Sequence, residues 1–215
     1  MKYIENKIDF LDFVKESDKD IQVKEIDFES IVFSMFVSQK CQNCGMYFRN
    51  YHCVIKPWFK GKEMLSKFNK FYLVYIIMDN TDRIKQLRLK SKKMVENGKR
   101  PLNEWNIKKF AVNANQSIVV NKIRRLLVGI KKRYPKERIK LFGGGGGCRS
   151  CRVCGLVKPN MTGEQRTPCA HPNKAFRAPE SIGIDVYGTL KNNNIDFQVI
   201  PVEKLICVGL IAKNE

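Results

Sequence analysis

Three cysteines within seven residues, Cys148-Arg-Ser-Cys151-Arg-Val-Cys154, force this part of the chain into a short loop whose thiols can turn toward one centre. A fourth thiol, Cys169, is reached through Thr167-Pro168 and can close the coordination sphere. Thiolates are soft ligands that select iron–sulfur clusters or zinc. A tetrahedral zinc site usually takes its ligands as two pairs separated by a longer loop, so three thiols this close together crowd a single zinc ion. A [4Fe–4S] cluster spreads its irons over a larger cage, and a C-x2-C-x2-C run lets each thiol reach a different iron. The spacing predicts a [4Fe–4S] cluster on Cys148, Cys151, Cys154 and Cys169, with zinc as the alternative. The run departs from the bacterial ferredoxin pattern in one respect. Its fourth cysteine comes fifteen residues after the third rather than directly behind it.

A second group lies upstream: Cys41, Cys44 and Cys53, with His52 beside the last of them. Three thiols leave four readings. The trio can bind a second cluster with one iron open, recruit His52, His171 or another residue as fourth ligand, hold zinc with a non-cysteine ligand, or be a local structural cluster. An open iron would allow Lewis-acid chemistry on a small substrate. The eighth cysteine, Cys207, sits inside the apolar run Leu205–Ile211 and reads as a small buried hydrophobe. Glu180 and Asp185 read as helix-capping and charge-balancing groups near the second cluster.

The remaining composition fits a reducing compartment. At 215 residues with 43% hydrophobic content, the chain can build one core without disulfide staples. A single domain over residues 1–215 is expected, with metal-binding loops at about 41–53 and 143–172. The first nine residues, charged throughout, lack a secretory h-region, and no stretch has eighteen uninterrupted apolar residues, so no membrane role is expected. A cytoplasmic location follows, where clustered cysteines are metal ligands more often than disulfides. The net charge of +19 admits a polyanion partner, but it also suits a lysine-rich surface or the steering of an acidic redox partner. Nucleic acid is therefore not the favoured partner.

Strand and helix signals interleave, which predicts an α/β or α+β fold with a central β-sheet flanked by helices. Ser30–Val37 is a β-rich run leading into Cys41. Phe71–Met78 is nearly continuously apolar, as expected of a strand buried on both faces. A helix is expected from Asp79 to a stop at Asn97-Gly98. A longer one follows, with Ile107, Ala111, Ala114, Ile118, Ile123, Leu126, Leu127 and Ile130 on one side, ending near Tyr134-Pro135. Its other side carries Lys122, Arg124, Arg125, Lys131, Lys132 and Arg133, read as a solvated face rather than a phosphate-binding surface. Arg138–Phe142 reads as a short strand feeding Gly143–Gly147, and Ala178–Lys191 as a helix. Phe197–Ile200 and Leu205–Ile211 read as strands. The five glycines lack a following Gly-Lys-[Ser/Thr], so they suit packing around a metal loop better than a phosphate cradle.

Several of these residues also carry a resemblance. Gly147-Cys148-Arg-Ser-Cys151-Arg-Val-Cys154, Pro168-Cys169-Ala-His-Pro172, Arg177–Val186 and Cys41-x2-Cys44-Gly-x-Tyr47 together resemble a family of uncharacterised, predicted metal-binding proteins of archaea and anaerobic bacteria. That family usually places two prolines directly after its third upstream cysteine, whereas here Cys53 is followed by Val-Ile-Lys-Pro57. The resemblance implies cysteine-rich, iron–sulfur metal binding and supplies no reaction. The expected function is electron transfer or redox support for a partner protein. The alternatives are an iron–sulfur enzyme with an open iron at the first group, and a zinc-dependent nucleic-acid-binding protein.

Overall fold

The computed structural model describes residues 10–43, 58–143, 169–171, 174–198 and 203–214. Four strands form one antiparallel sheet in the order β1-β2-β4-β3: β1 is Gln22–Ile26, β2 Lys70–Asp79, β3 Ile139–Phe142 and β4 Lys204–Lys213. Six helices accompany it among the described residues: α1 Phe10–Ser17, α2 Met35–Gln42, α3 Trp58–Leu65, α4 Thr81–Glu96, α5 Glu104–Arg133 and α6 Val186–Asn192. The antiparallel pairing makes the fold α+β.

Strands β2 and β4 run opposite each other over their full length, from Lys70 against Lys213 to Asp79 against Lys204. Successive side chains of a strand point to opposite faces, and both faces of this pair are covered. Tyr72, Val74, Ile76, Leu205, Cys207 and Ile211 pack beneath α1 and α5. Phe71, Leu73, Val208, Leu210 and Ala212 pack on the other side against Leu65, Ile182, Ile184 and Leu190. This is the two-faced burial that the apolar run at Phe71–Met78 predicts. It arises in an antiparallel sheet because short helices and turns roof the second face.

Helix α5 is the longest element, and its apolar spacing places Val119, Ile123, Leu126, Leu127 and Ile130 on the sheet. It starts at an N-cap, Asn103, whose side chain accepts a hydrogen bond from the Asn106 N–H at 2.8 Å. A glycine on β4 permits its close approach: a Cβ on Gly209 would lie 3.2 Å from Ile123 Cγ2 and 2.8 Å from the Phe142 carbonyl oxygen. Helix α4 ends as its Asn97-Gly98 signal predicts, with Gly98 in the left-handed region at φ 70°.

The structure corrects three readings. Ser30–Val37 is not a strand. Only Phe33 forms a bridge, to Ile184, and Ser34 then caps α2, its hydroxyl accepting from the Phe36 N–H at 3.2 Å. Cys41 therefore sits in the last turn of a helix rather than in a loop between strands. The expected helix over Ala178–Lys191 is broken by Gly183, at φ 83°, into a 3-10 turn Pro179–Ile182 and α6. Phe197 and Gln198 are in no strand, and residues 199–200 lie outside the described residues. Among the described residues no helix is long and apolar enough to cross a membrane.

Candidate metal centre and adjoining cavity

Cys44, Cys53, His52, Cys148, Cys151 and Cys154 lie outside the described residues. What the structure does describe is how the chain enters and leaves both cysteine segments. Strand β3 ends at Phe142, which forms a parallel bridge to Arg177, and the Gly143 N–H donates to the Arg177 carbonyl at 2.9 Å. The neck of the second segment is thus closed on itself. A Cβ on Gly143 would lie 3.1 Å from Leu127 and 3.4 Å from Phe176, so the first glycine of the run fits a tight junction between α5 and the returning chain. From Arg177 the chain passes directly into the turn Pro179–Ile182.

The first segment is held to the same turn. Helices α2 and α3 flank it, and both pack on Pro179–Ile182. Segments 32–34 and 183–185 are paired by Ser34 N–H to the Gly183 carbonyl and Asp185 N–H to the Val32 carbonyl, each at 2.8 Å. On α3, Gly61 meets the turn so closely that a Cβ would stand 2.0 Å from the Ile182 carbonyl oxygen. One short turn therefore receives the exit of the second cysteine segment and both flanks of the first.

Cys169 is half-buried, and its Sγ accepts a hydrogen bond from the His171 N–H at 3.4 Å. An N–H aimed at sulfur stabilises the thiolate a metal requires and is one of the levers that tune iron–sulfur centres. Cys169 is the one thiol of this segment among the described residues, and its N–H contact is compatible with thiolate ligation. The Lys174 N–H closes the next turn onto the His171 carbonyl at 3.0 Å. Among the described residues no three His, Cys, Asp or Glu side chains come together as a metal site.

Cys41 instead lines a cavity of about 690 Å³. The cavity owes its place to the shortness of β3, which pairs only with Leu210–Lys213 of β4. The other half of that edge, Leu205–Val208, forms one wall, and α5, α2 and residues 180–187 supply the other described lining residues. Glu180 and Asp185, expected near the second cluster, line this cavity with Cys41. Asp185 caps α6, its Oδ1 accepting from the Gly188 N–H at 3.1 Å. The Glu180 carboxyl accepts from its own backbone N–H, while its Oε2 is enclosed with no hydrogen-bond partner among the described residues. Burial pushes the Glu180 carboxyl above the usual carboxylate range, its own backbone N–H opposes that, and the charge of Asp185 adds to it.

Cys207 lies at the same wall, 6% exposed. Burial, reinforced by the charge of Glu180, pushes its thiol up to about 12. It is a neutral core residue, in keeping with its place in an apolar strand. The basic side of α5 is a solvated face over most of its length, with Lys122 the exception, bonding both Asp18, at 3.1 Å, and Asp20. Arg125, Lys131, Lys132 and Arg133 remain exposed.

A family described as predicted metal-binding proteins (DUF2284) matches residues 24–212. The chain belongs to this family. The match runs from β1 through β4 and takes in both cysteine segments, and metal binding is the family's predicted property. No curated protein and no solved structure matches the chain.

Proposed function

We propose that this family member is an iron–sulfur protein in which Cys148, Cys151, Cys154 and Cys169 ligate one [4Fe–4S] cluster that serves electron transfer or redox support for a partner. The observation that carries the reading is Cys169, whose half-buried sulfur already accepts a backbone N–H. The dense spacing of the other three thiols supports iron–sulfur over zinc. The closed neck at Phe142–Arg177 supports it further, because a loop with tied ends loses less freedom on closing around a metal. A net charge of +19 suits an acidic redox partner, steered by attraction over distances beyond contact. A reducing, cytoplasmic setting suits the thiols.

One observation favours a second reading: Cys41 of the upstream group opens on a cavity. If Cys41, Cys44 and Cys53 hold a metal with an open position, a small substrate could reach it from there.

The test compares Cys169→Ser with Cys207→Ala, both purified without oxygen. Loss of the brown colour and of most cluster iron is expected in the first, with retention in the second, whose thiol is a core group. Equal iron in both variants would remove Cys169 from the ligand set and the proposal with it.

A further inference from the structure

The cavity beside Cys41 carries a second, independent signal. Its volume, about 690 Å³, lies in the range of small-molecule sites. Its lining includes an aliphatic group, Val37, Val112, Val120, Val186, Leu205 and Val208, beside the polar Ser34 and Gln116. Against these stand two carboxyl groups, Glu180 and Asp185, and the enclosed Oε2 of Glu180 has no partner among the described residues. A buried carboxyl oxygen without a donor is costly unless something supplies one.

We propose that this cavity binds a small organic amine, its hydrocarbon body against the valines and Leu205 and its ammonium group against Glu180.

The charges around the cavity select that class. An anion would face two carboxyl groups. A neutral alcohol could donate to Glu180 but would leave the repulsion between Glu180 and Asp185 in place, and that repulsion helps to hold the Glu180 carboxyl up. A cation relieves both. Cys207 is a neutral thiol here, and Lys40, the cationic side chain of the lining, is exposed on α2 and pairs with neither carboxyl group among the described residues. Phe36 and Tyr187, 64% and 44% exposed, also line the cavity, and the Tyr187 ring stacks on Phe197. A metal ion is a poorer fit, since no three metal-ligating side chains converge among the described residues. The inference does not depend on the nature of the metal centre.

Three probes that share one body separate the possibilities: cyclohexylamine, cyclohexanol and cyclohexanecarboxylate. Each is titrated calorimetrically into the full chain purified without oxygen. The amine should bind about tenfold or more tightly than either of the others, as a charge-assisted hydrogen bond in a desolvated site requires. Glu180→Gln should erase that preference while leaving the weak binding of the alcohol unchanged. Should that variant fail to fold, Val120→Trp, which fills the cavity from the α5 side, should abolish binding of all three probes. Failure of the amine to bind, equal or tighter binding of the carboxylate, or an unchanged preference in Glu180→Gln would each overturn the proposal. Iron content measured on the same samples keeps the outcomes apart, because amine binding by an iron-free chain would sink the cluster assignment and leave this site standing.

Discussion

The two faces of the sheet are built in different ways. Beneath α5 lies a core made by one 30-residue helix, whose regular spacing brings Val119, Ile123, Leu126, Leu127 and Ile130 down in sequence on β2 and β4. The opposite face is roofed by short pieces, α3, the turn Pro179–Ile182 and α6, each contributing a few side chains. Both cysteine segments are tied to that second roof. The long helix gives the sheet stability, while the fragmented roof brings the described ends of the cysteine segments to one junction. A roof of this kind can hold a site because its parts are fixed to one another by backbone contacts rather than by a single rigid rod.

The comparison breaks if damage to either face has the same consequence. The largest effect is expected from Ile123→Ala beneath α5. The residue is fully buried, so removing its side chain should lower unfolding stability by about 2–5 kcal/mol, read by chemical denaturation. The metal content of the protein that remains folded should not change. Gly61→Ala on the other roof should cost less, about 1–3 kcal/mol, because its new methyl must push α3 off the Ile182 carbonyl. Here the metal retained per folded chain should fall, since the turn that moves anchors both cysteine segments. Loss of metal in Ile123→Ala, or full retention in Gly61→Ala, would erase the distinction.

The smallest effect concerns the tie between α5 and the start of β1. Burial opposes the charge of Asp18, but the Asp20 N–H and the Lys122 ammonium together hold its carboxyl below the ordinary aspartate range. Hydrogen bonds to Asp20 and Asp18 raise Lys122 in turn. Lys122→Met should therefore cost about 1 kcal/mol or less at neutral pH, as expected of a partly exposed ion pair. A carboxyl with a lowered folded pKa stabilises above its unfolded value and loses that contribution as pH falls through the folded one. An ammonium with a raised pKa loses its contribution as pH rises through the folded value. The difference between wild type and Lys122→Met should thus vanish at both ends of the pH range. A difference that persists in acid would mean that Lys122 acts through its hydrocarbon stem.

The parts of the fold that could be read from sequence are those with long periods or strong punctuation. Helix α5 and strand β2 follow from their apolar spacing, and the end of α4 from Asn97-Gly98. Helix α1 is amphipathic but only eight residues long, α3 and β1 are short and charged, and tertiary packing of single residues such as Val14, Leu65 and Ile26 determines them. The β-rich residues 30–37 become a bridge and a helix because Ser34 caps α2 while its N–H pairs with Gly183, a partner 149 positions away in the chain. The spacing of the thiols marks them as candidate metal ligands, and the family's predicted metal binding agrees with that reading. The cavity was not legible, because it depends on β3 stopping at Phe142 and on Gly183 folding Glu180 and Asp185 toward Cys41. The one sequence hint was the glycine in Ser181-Ile-Gly-Ile-Asp185, which breaks one helix and leads into the cap of the next.

The central claim is that the fragmented roof carries an iron–sulfur centre. Iron, acid-labile sulfide and zinc measured together on the full chain, purified without oxygen, test it most directly. The account predicts a brown protein with iron and sulfide in equal amounts, about four of each per chain if only the second segment is loaded. A colourless protein holding zinc and no sulfide would contradict it.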